Sequence, residues 1–166
     1  MAALEAGIVA PDFTLRTLEG HQVSLQNLLH RGPVVLAFFK VSCPVCQYAF
    51  SLYERMAQAN RDASVSVLGI SQNGPSETAD FRHEYGVNFP LAMDDDSNHY
   101  AVSSAYGLTN VPTLFYIAPN GKIELSSVGW SKRDVDEVNA KLAALCNLKP
   151  SVLWRPGESI QDFRAG

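Results

Sequence analysis

The chain has 166 residues, 46% of them hydrophobic and 18% charged, and a net charge of -4. That length suits one domain able to bury about two thirds of its unfolded surface, and the composition is that of a soluble globular protein. An acidic balance without a basic stretch argues against a nucleic-acid partner, and no apolar run approaches the ~18 residues of a membrane span.

The chain opens Met1-Ala2-Ala3-Leu4-Glu5-Ala6-Gly7. With no basic n-region and no long apolar h-region, it shows no recognisable signal peptide. Three cysteines are too few for a disulfide scaffold at this length, so the expected location is the cytoplasm. Phe13-Thr14-Leu15 and Gln22-Val23-Ser24 flank Glu19-Gly20, which predicts a small hairpin, and Ser24 can cap a short turn through Leu28. Residues 34–39, Val-Val-Leu-Ala-Phe-Phe, are apolar on both alternations, as in a central strand covered on both faces. Val45, Ala49, Leu52 and Met56 then recur at helical spacing. A second apolar strand runs from Val65 to Ile70 and ends in Ser71-Gln72-Asn73-Gly74-Pro75. Ser76 and Glu77 open a predicted helix to Tyr85, stopped by Gly86. Phe89 to Ala92 is a candidate short strand, and Asn98 to Tyr106 a candidate helix stopped by Gly107. Residues 113–117 and 123–128 surround Pro119-Asn120-Gly121-Lys122, a hairpin with strong turn chemistry. Val135, Val138, Leu142 and Leu145 mark a last amphipathic helix, with Cys146 beside its apolar stripe and expected to be buried. This order predicts an α/β domain with a mixed central sheet and helices on both faces.

Chemistry concentrates in Cys43-Pro44-Val45-Cys46, between the central strand and the helix that follows. A helix N-terminus supplies partial positive charge and free N–H groups, which favours a thiolate. A second thiol one turn along can close an intramolecular disulfide and release a bound partner. Two other uses of such a pair remain. Half a zinc site would need a further ligand pair, but Cys146, His21, His30, His83 and His99 are scattered. A purely structural pair is the other. Lys40, three residues before Cys43, is a possible thiolate stabiliser or a solvated lysine at a strand end. Met93-Asp94-Asp95-Asp96-Ser97-Asn98 is similar to a calcium loop but has His99 at the glycine position and Ala105 at the glutamate position. Its acids are expected to complement the helix that follows.

Strand, C-x-x-C, helix, and Val111-Pro112-Thr113 before a hairpin together resemble the thioredoxin fold over about residues 8 to 146. Ala10-Pro11-Asp12-Phe13-Thr14-Leu15 with Gly20 to Leu25, the segment from about Pro75 to Tyr106, and Tyr106 to Thr113 followed by Pro119 to Lys122 are similar to its redoxin branch. That branch holds the AhpC/TSA-like peroxiredoxins and the thiol–disulfide oxidoreductases of the TlpA and ResA type. The resemblance implies one thioredoxin-like domain over residues 1–166, with 147–166 as a C-terminal extension. It implies Cys43 and Cys46 as the redox-active centre, and a cis Pro112 facing them. Pro44, Val45, Val111, Pro112 and Thr113 would then form the substrate groove. No cofactor is implied. The implied partners are disulfide-containing proteins or small thiols, and an electron-donating reductase or dithiol protein.

Two departures bear on the activity. Peroxiredoxins carry P-x-x-x-T-x-x-C, and with Cys46 at the reactive position the threonine is replaced by Cys43 and the proline by Phe39. The buried aspartate that thioredoxin places six residues before its first cysteine is Ala37 here. The sequence therefore predicts a thiol–disulfide oxidoreductase, with a peroxiredoxin-like antioxidant peroxidase and a non-enzymatic redox switch as alternatives.

Overall fold

The computed structural model describes residues 2–166. A hairpin of β1 (Thr14–Thr17) and β2 (Gln22–Ser24) opens the fold. The Ser24 hydroxyl accepts the Asn27 N–H and caps α1 (Leu25–Leu29), satisfying one of the donors that a helix start leaves open. Strand β3 (Val34–Phe39) is buried at every position. It leads into α2 (Pro44–Ala59), β4 (Ser66–Ser71), α3 (Pro75–Tyr85) and β5 (Leu91–Met93). A short helix, α4 (Ala101–Ala105), precedes β6 (Thr113–Ile117) and β7 (Ile123–Val128). The two-residue β8 (Trp130–Ser131), α5 (Lys132–Leu145) and β9 (Phe163–Arg164) complete the chain.

Among the described residues, seven strands form one sheet in the order β2-β1-β5-β4-β3-β6-β7. β3, β4 and β5 run parallel, and the remaining pairs are antiparallel. This mixed sheet explains the unbroken apolar run of β3. Val35, Ala37 and Phe39 face α2, α3 and α5 through Phe50, Tyr53, Phe81 and Val138. Val34, Leu36 and Phe38 face α1 and α4 through Leu25, Leu28 and Val102. A strand covered on both sides has no polar alternation to show. Each fully buried large side chain contributes about 1.5–3 kcal/mol, so β3 anchors both layers.

Three expectations need correction. Helix α3 starts one residue earlier than expected, with Gly74 as its cap and Pro75 in its first turn. Proline suits that position because it has no N–H to leave unpaired. The helix expected over Asn98–Tyr106 is broken in two. A 3-10 turn covers Asp96–Asn98, and α4 starts only at Ala101. His99 and Tyr100 between them have φ of 52° and 51°. The acids enforce this break. The Asp95 carboxylate accepts the Ser97 N–H at 3.1 Å. The buried Asp94 carboxylate accepts the N–H groups of Val102 and Ser103 at 3.2 and 2.6 Å, and the Ser103 hydroxyl at 2.7 Å. Each aspartate thus starts its own short helix, in keeping with carboxylates at helix N-termini. Cys146, expected to be buried, is exposed. It is the C-cap of α5, where the helix has turned past the buried Val135, Val138 and Leu142; Leu145, expected on the same stripe, is likewise exposed.

Beyond α5 the chain returns across α2. Leu153 is buried, and the Trp154 indole meets Trp130 edge-on at 6.0 Å. The buried amide of Asn60, the C-cap of α2, donates to that of Asn139 on α5 at 2.9 Å, and Asn139 Nδ2 donates onward to the Ser151 carbonyl. Arg55 on α2 clamps both oxygens of Glu158 at 2.6 and 2.8 Å. Among the described residues no helix is long and apolar enough to cross a membrane.

Candidate active site: a dithiol at the start of α2

The end of β3 sets the dithiol loop. Gln72 N–H donates to the Phe39 carbonyl at 2.9 Å, holding β4 beside the strand end. The Asn73 side-chain oxygen accepts the Val41 N–H at 3.0 Å, and Gln47 Nε2 donates to the Val41 carbonyl at 2.9 Å. With its preceding residues pinned, Cys43 takes an extended conformation and becomes the N-cap of α2. Pro44 fills the first helical turn, where the missing N–H costs nothing.

Cys43 Sγ accepts the Cys46 N–H at 3.2 Å and donates to the Val111 carbonyl oxygen at 3.4 Å. The sulfur therefore takes the acceptor role that Ser or Asp plays in other caps. Cys43 is half-buried, whereas Cys46 is fully buried. Burial pushes the Cys46 thiol well above the ordinary range, and the adjacent Cys43 thiol adds to the effect. The two thiols are thus unequal, one presented outward and one kept protonated below it. Ala37, where a proton acceptor would stand, is buried among the apolar residues around Cys46.

The Val111–Pro112 peptide is cis, as the resemblance implied. Val111 is half-buried beside Cys43, while Pro112 and Thr113 are buried. The Thr113 hydroxyl donates to the Asn110 carbonyl at 2.8 Å and so holds this loop rather than facing a substrate. Pro44 is exposed and Val45 half-buried on the same rim. Lys40 touches the loop through its backbone, its carbonyl accepting the Cys43 N–H at 3.2 Å. Its side chain is exposed and makes no ion pair among the described residues. No cluster of three or more potential metal ligands occurs among the described residues.

Some neighbours of the site are not singled out by the sequence. Gly129, with φ +80°, donates its N–H to the Pro112 carbonyl at 2.7 Å. Tyr48, in the second turn of α2, packs edge-on against Trp130 at 5.6 Å. A cleft of about 310 Å³ lies beside Val111, lined by Lys40, Gln72, Tyr100, Ser104 and Asn110. The glycine and the tyrosine are ordinary in composition: the hairpin register brings Gly129 here, and α2, which Cys43 caps, carries Tyr48.

A dithiol at a helix start, below a cis-proline loop on a mixed sheet, defines a thioredoxin-like thiol–disulfide oxidoreductase. The chain is 31% identical over 134 residues to the thiol–disulfide oxidoreductase ResA of Halalkalibacterium halodurans, covering 80% of this chain and 74% of that one. The fold matches the thioredoxin domain of a thiol–disulfide oxidoreductase from Bacteroides vulgatus with a TM-score of 0.75 at 21% identity, over 84% of this chain and 99% of that one. It also matches peroxidoxin BcpB of Mycobacterium tuberculosis with a TM-score of 0.72 at 24% identity, over 86% and 98%. The family model of the AhpC/TSA family matches residues 6–126, and the protein belongs to that family.

Proposed function

We propose that Cys43 is the attacking thiol, Cys46 the resolving thiol, and a disulfide the substrate. The supporting observation is the inequality of the two sulfurs: Cys43 is half-exposed and hydrogen-bonded as a helix cap, and Cys46 is wholly buried one turn below. The Cys43 thiolate attacks one sulfur of a disulfide, forms a mixed disulfide and expels the first thiolate. Cys46 then loses its proton and attacks Cys43 Sγ, expelling the second thiolate. The substrate gains two electrons and leaves as two thiols, and the protein is left with a Cys43–Cys46 disulfide. A thiol donor returns the two electrons and leaves as its own disulfide. No carboxylate stands at Ala37, so the departing thiolate or solvent takes the Cys46 proton. Val111 and Pro112, with Pro44 and Val45 opposite, flank the sulfur that meets the substrate. Lys40 contributes positive charge at the rim. The exposed third thiol, Cys146, supports a reducing compartment such as the cytoplasm, where free thiols persist.

A peroxidase reading draws on the family and on the match to a peroxidoxin. Against it stand Cys43 at the threonine position of the peroxidatic motif, and the buried phenyl ring of Phe39 at the proline position. The deciding experiment oxidises the reduced protein with one equivalent of disulfide, alkylates it and maps the thiols by mass. A Cys43–Cys46 link with Cys146 alkylated is expected. Free thiols at both positions, or a link to Cys146, would overturn the proposal.

A further inference from the structure

One edge of the dithiol site is occupied by the protein's own chain. Beyond Glu158 the tail runs back along Trp130 and Ser131, pairing antiparallel with Trp130 opposite Arg164 and Ser131 opposite Phe163. The Trp130 indole N–H donates to the Gln161 carbonyl at 2.7 Å, and the Gln161 N–H donates to the Tyr48 hydroxyl at 3.0 Å. The Arg164 guanidinium stacks over the Tyr48 ring at 5.0 Å, and the Lys132 N–H donates to the Asp162 carbonyl at 2.9 Å. At the far end, Asn110 Nδ2 donates to the Gly166 carbonyl at 3.1 Å. Approach is close on both sides of the cis-proline loop. A methyl group placed on Gly166 would come 2.5 Å from the Val111 carbonyl oxygen, and one on Gly129 would come 2.5 Å from the Arg164 carbonyl oxygen.

The Val111 carbonyl is the group that Cys43 Sγ itself touches. An extended polypeptide docking beside it by strand addition needs the backbone edge at Val111 and Gly129, where residues 161–166 already lie. On the other side of Val111, whose carbonyl Cys43 Sγ touches, a cleft of about 310 Å³ with both polar and apolar walls remains open, at the lower end of the range for small-molecule sites. We infer that the segment Gln161–Gly166 is a strap that selects substrates for Cys43, admitting low-molecular-weight polar disulfides through the Lys40–Tyr100–Asn110 cleft and excluding disulfides carried on polypeptide segments. This inference rests on Cys43 being the attacking thiol. The reaction is the exchange already described: the small disulfide takes two electrons from the Cys43–Cys46 dithiol and leaves as two thiols.

Two variants release the strap. One deletes residues 161–166. The other, Phe163→Gly with Arg164→Gly, keeps the length and the Glu158 and Leu153 anchors but weakens the pairing with β8 and removes the stack on Tyr48. Single-turnover oxidation of the reduced protein is followed with oxidised glutathione and with insulin, so no electron donor enters the assay. Releasing the strap should raise the insulin rate constant at least ~tenfold and change the glutathione rate constant less than ~threefold, a clear shift in selectivity. Equal changes for both disulfides, or none, would overturn the inference. If one variant fails to fold, judged by its circular dichroism, the other carries the test. Alkylation of Cys43, mapped by mass, gives a readout independent of disulfide exchange. Release should accelerate a maleimide carried on a peptide more than it accelerates iodoacetamide, and equal acceleration would overturn the strap. A protein that exchanges no disulfide at all but passes this alkylation test would instead contradict the proposed function.

Discussion

Glu54 should hold the dithiol helix in place without taking part in its chemistry. It is buried in the middle of α2, yet it carries a carboxylate. Oε1 accepts the backbone N–H groups of Asn88 and Phe89 at 2.8 and 3.2 Å. Oε2 accepts the side-chain amides of Gln58 and Asn88 at 2.8 and 3.2 Å. These bonds fasten α2 to the turn between α3 and β5. Glu54→Ala removes the acceptor and leaves the N–H of buried Phe89 without a partner, whereas Asn88 is exposed and water can replace its bond. Removing the partner of a buried donor costs about 1–3 kcal/mol, and more where the lost bond was to a charged group, so Glu54→Ala should cost about 2–4 kcal/mol. Glu54→Gln keeps one carbonyl acceptor but turns an amide toward two donors, and should cost about 1–2 kcal/mol. Urea denaturation of both variants under reducing conditions measures this. Single-turnover disulfide exchange should stay within about twofold of the wild type, because Glu54 lies eight residues along α2 from Cys46, or about 12 Å at the helical rise. A Glu54→Ala midpoint equal to the wild type's, or a large loss of exchange rate in a variant that remains folded, would refute this reasoning.

Resolution of a mixed disulfide at Cys43 should accelerate on the order of tenfold per pH unit between about pH 6 and 8, because Cys46 is held protonated by burial and no carboxylate receives its proton. A flat profile in stopped-flow would contradict this. The same raised value makes the reduced protein lose stability in alkali: the folded state keeps a proton that the unfolded chain gives up, so this contribution is intact below about pH 8.5 and declines above it. Cys46→Ala should remove that part of the decline in thermal melts. Arg55 beside Glu158 holds its carboxyl down to about 2. That tether of the tail should be present above the ordinary carboxylate range and lost as pH falls through about 2, so hydrogen exchange of residues 158–166 should quicken in acid before the sheet does. Peroxide reduction should be at least ~100-fold slower than disulfide exchange, since the positioning hydroxyl of the peroxidatic motif is replaced by a thiol. Comparable second-order rate constants in a peroxide-consumption assay would contradict that.

The elements were legible wherever periodicity or punctuation was strong. The doubly apolar run 34–39 announced a strand covered on both faces, and Asn120-Gly121 announced the hairpin turn. Ser24 acts as the cap its position predicts. The dithiol and the Val111–Pro112 bond were visible as motifs, and the structure brings them to hydrogen-bonding distance. The break at His99–Tyr100 was not visible, because two aspartates in a row can serve one helix or two, and only the buried position of Asp94 decides between them. Cys146 is hard to place from sequence because it adjoins the apolar stripe, one step beyond the point where the helix stops. The tail was hardest to read. Residues 161–166 have no strand pattern of their own, and their path is set by tertiary partners on Tyr48, Trp130 and Asn110.

The division of labour between the two thiols is tested most directly by trapping. Cys46→Ser and Cys43→Ser proteins, each with Cys146→Ser to remove the exposed third thiol, are reduced and then challenged with the same disulfide. Intact-mass analysis then follows. The Cys46→Ser protein should accumulate a stable mixed disulfide at Cys43, because no buried thiol remains to displace it. The Cys43→Ser protein should stay unmodified, because Cys46 is fully buried. A stable adduct on Cys46 in the Cys43→Ser protein, with none on Cys43 in its counterpart, would reverse the assignment.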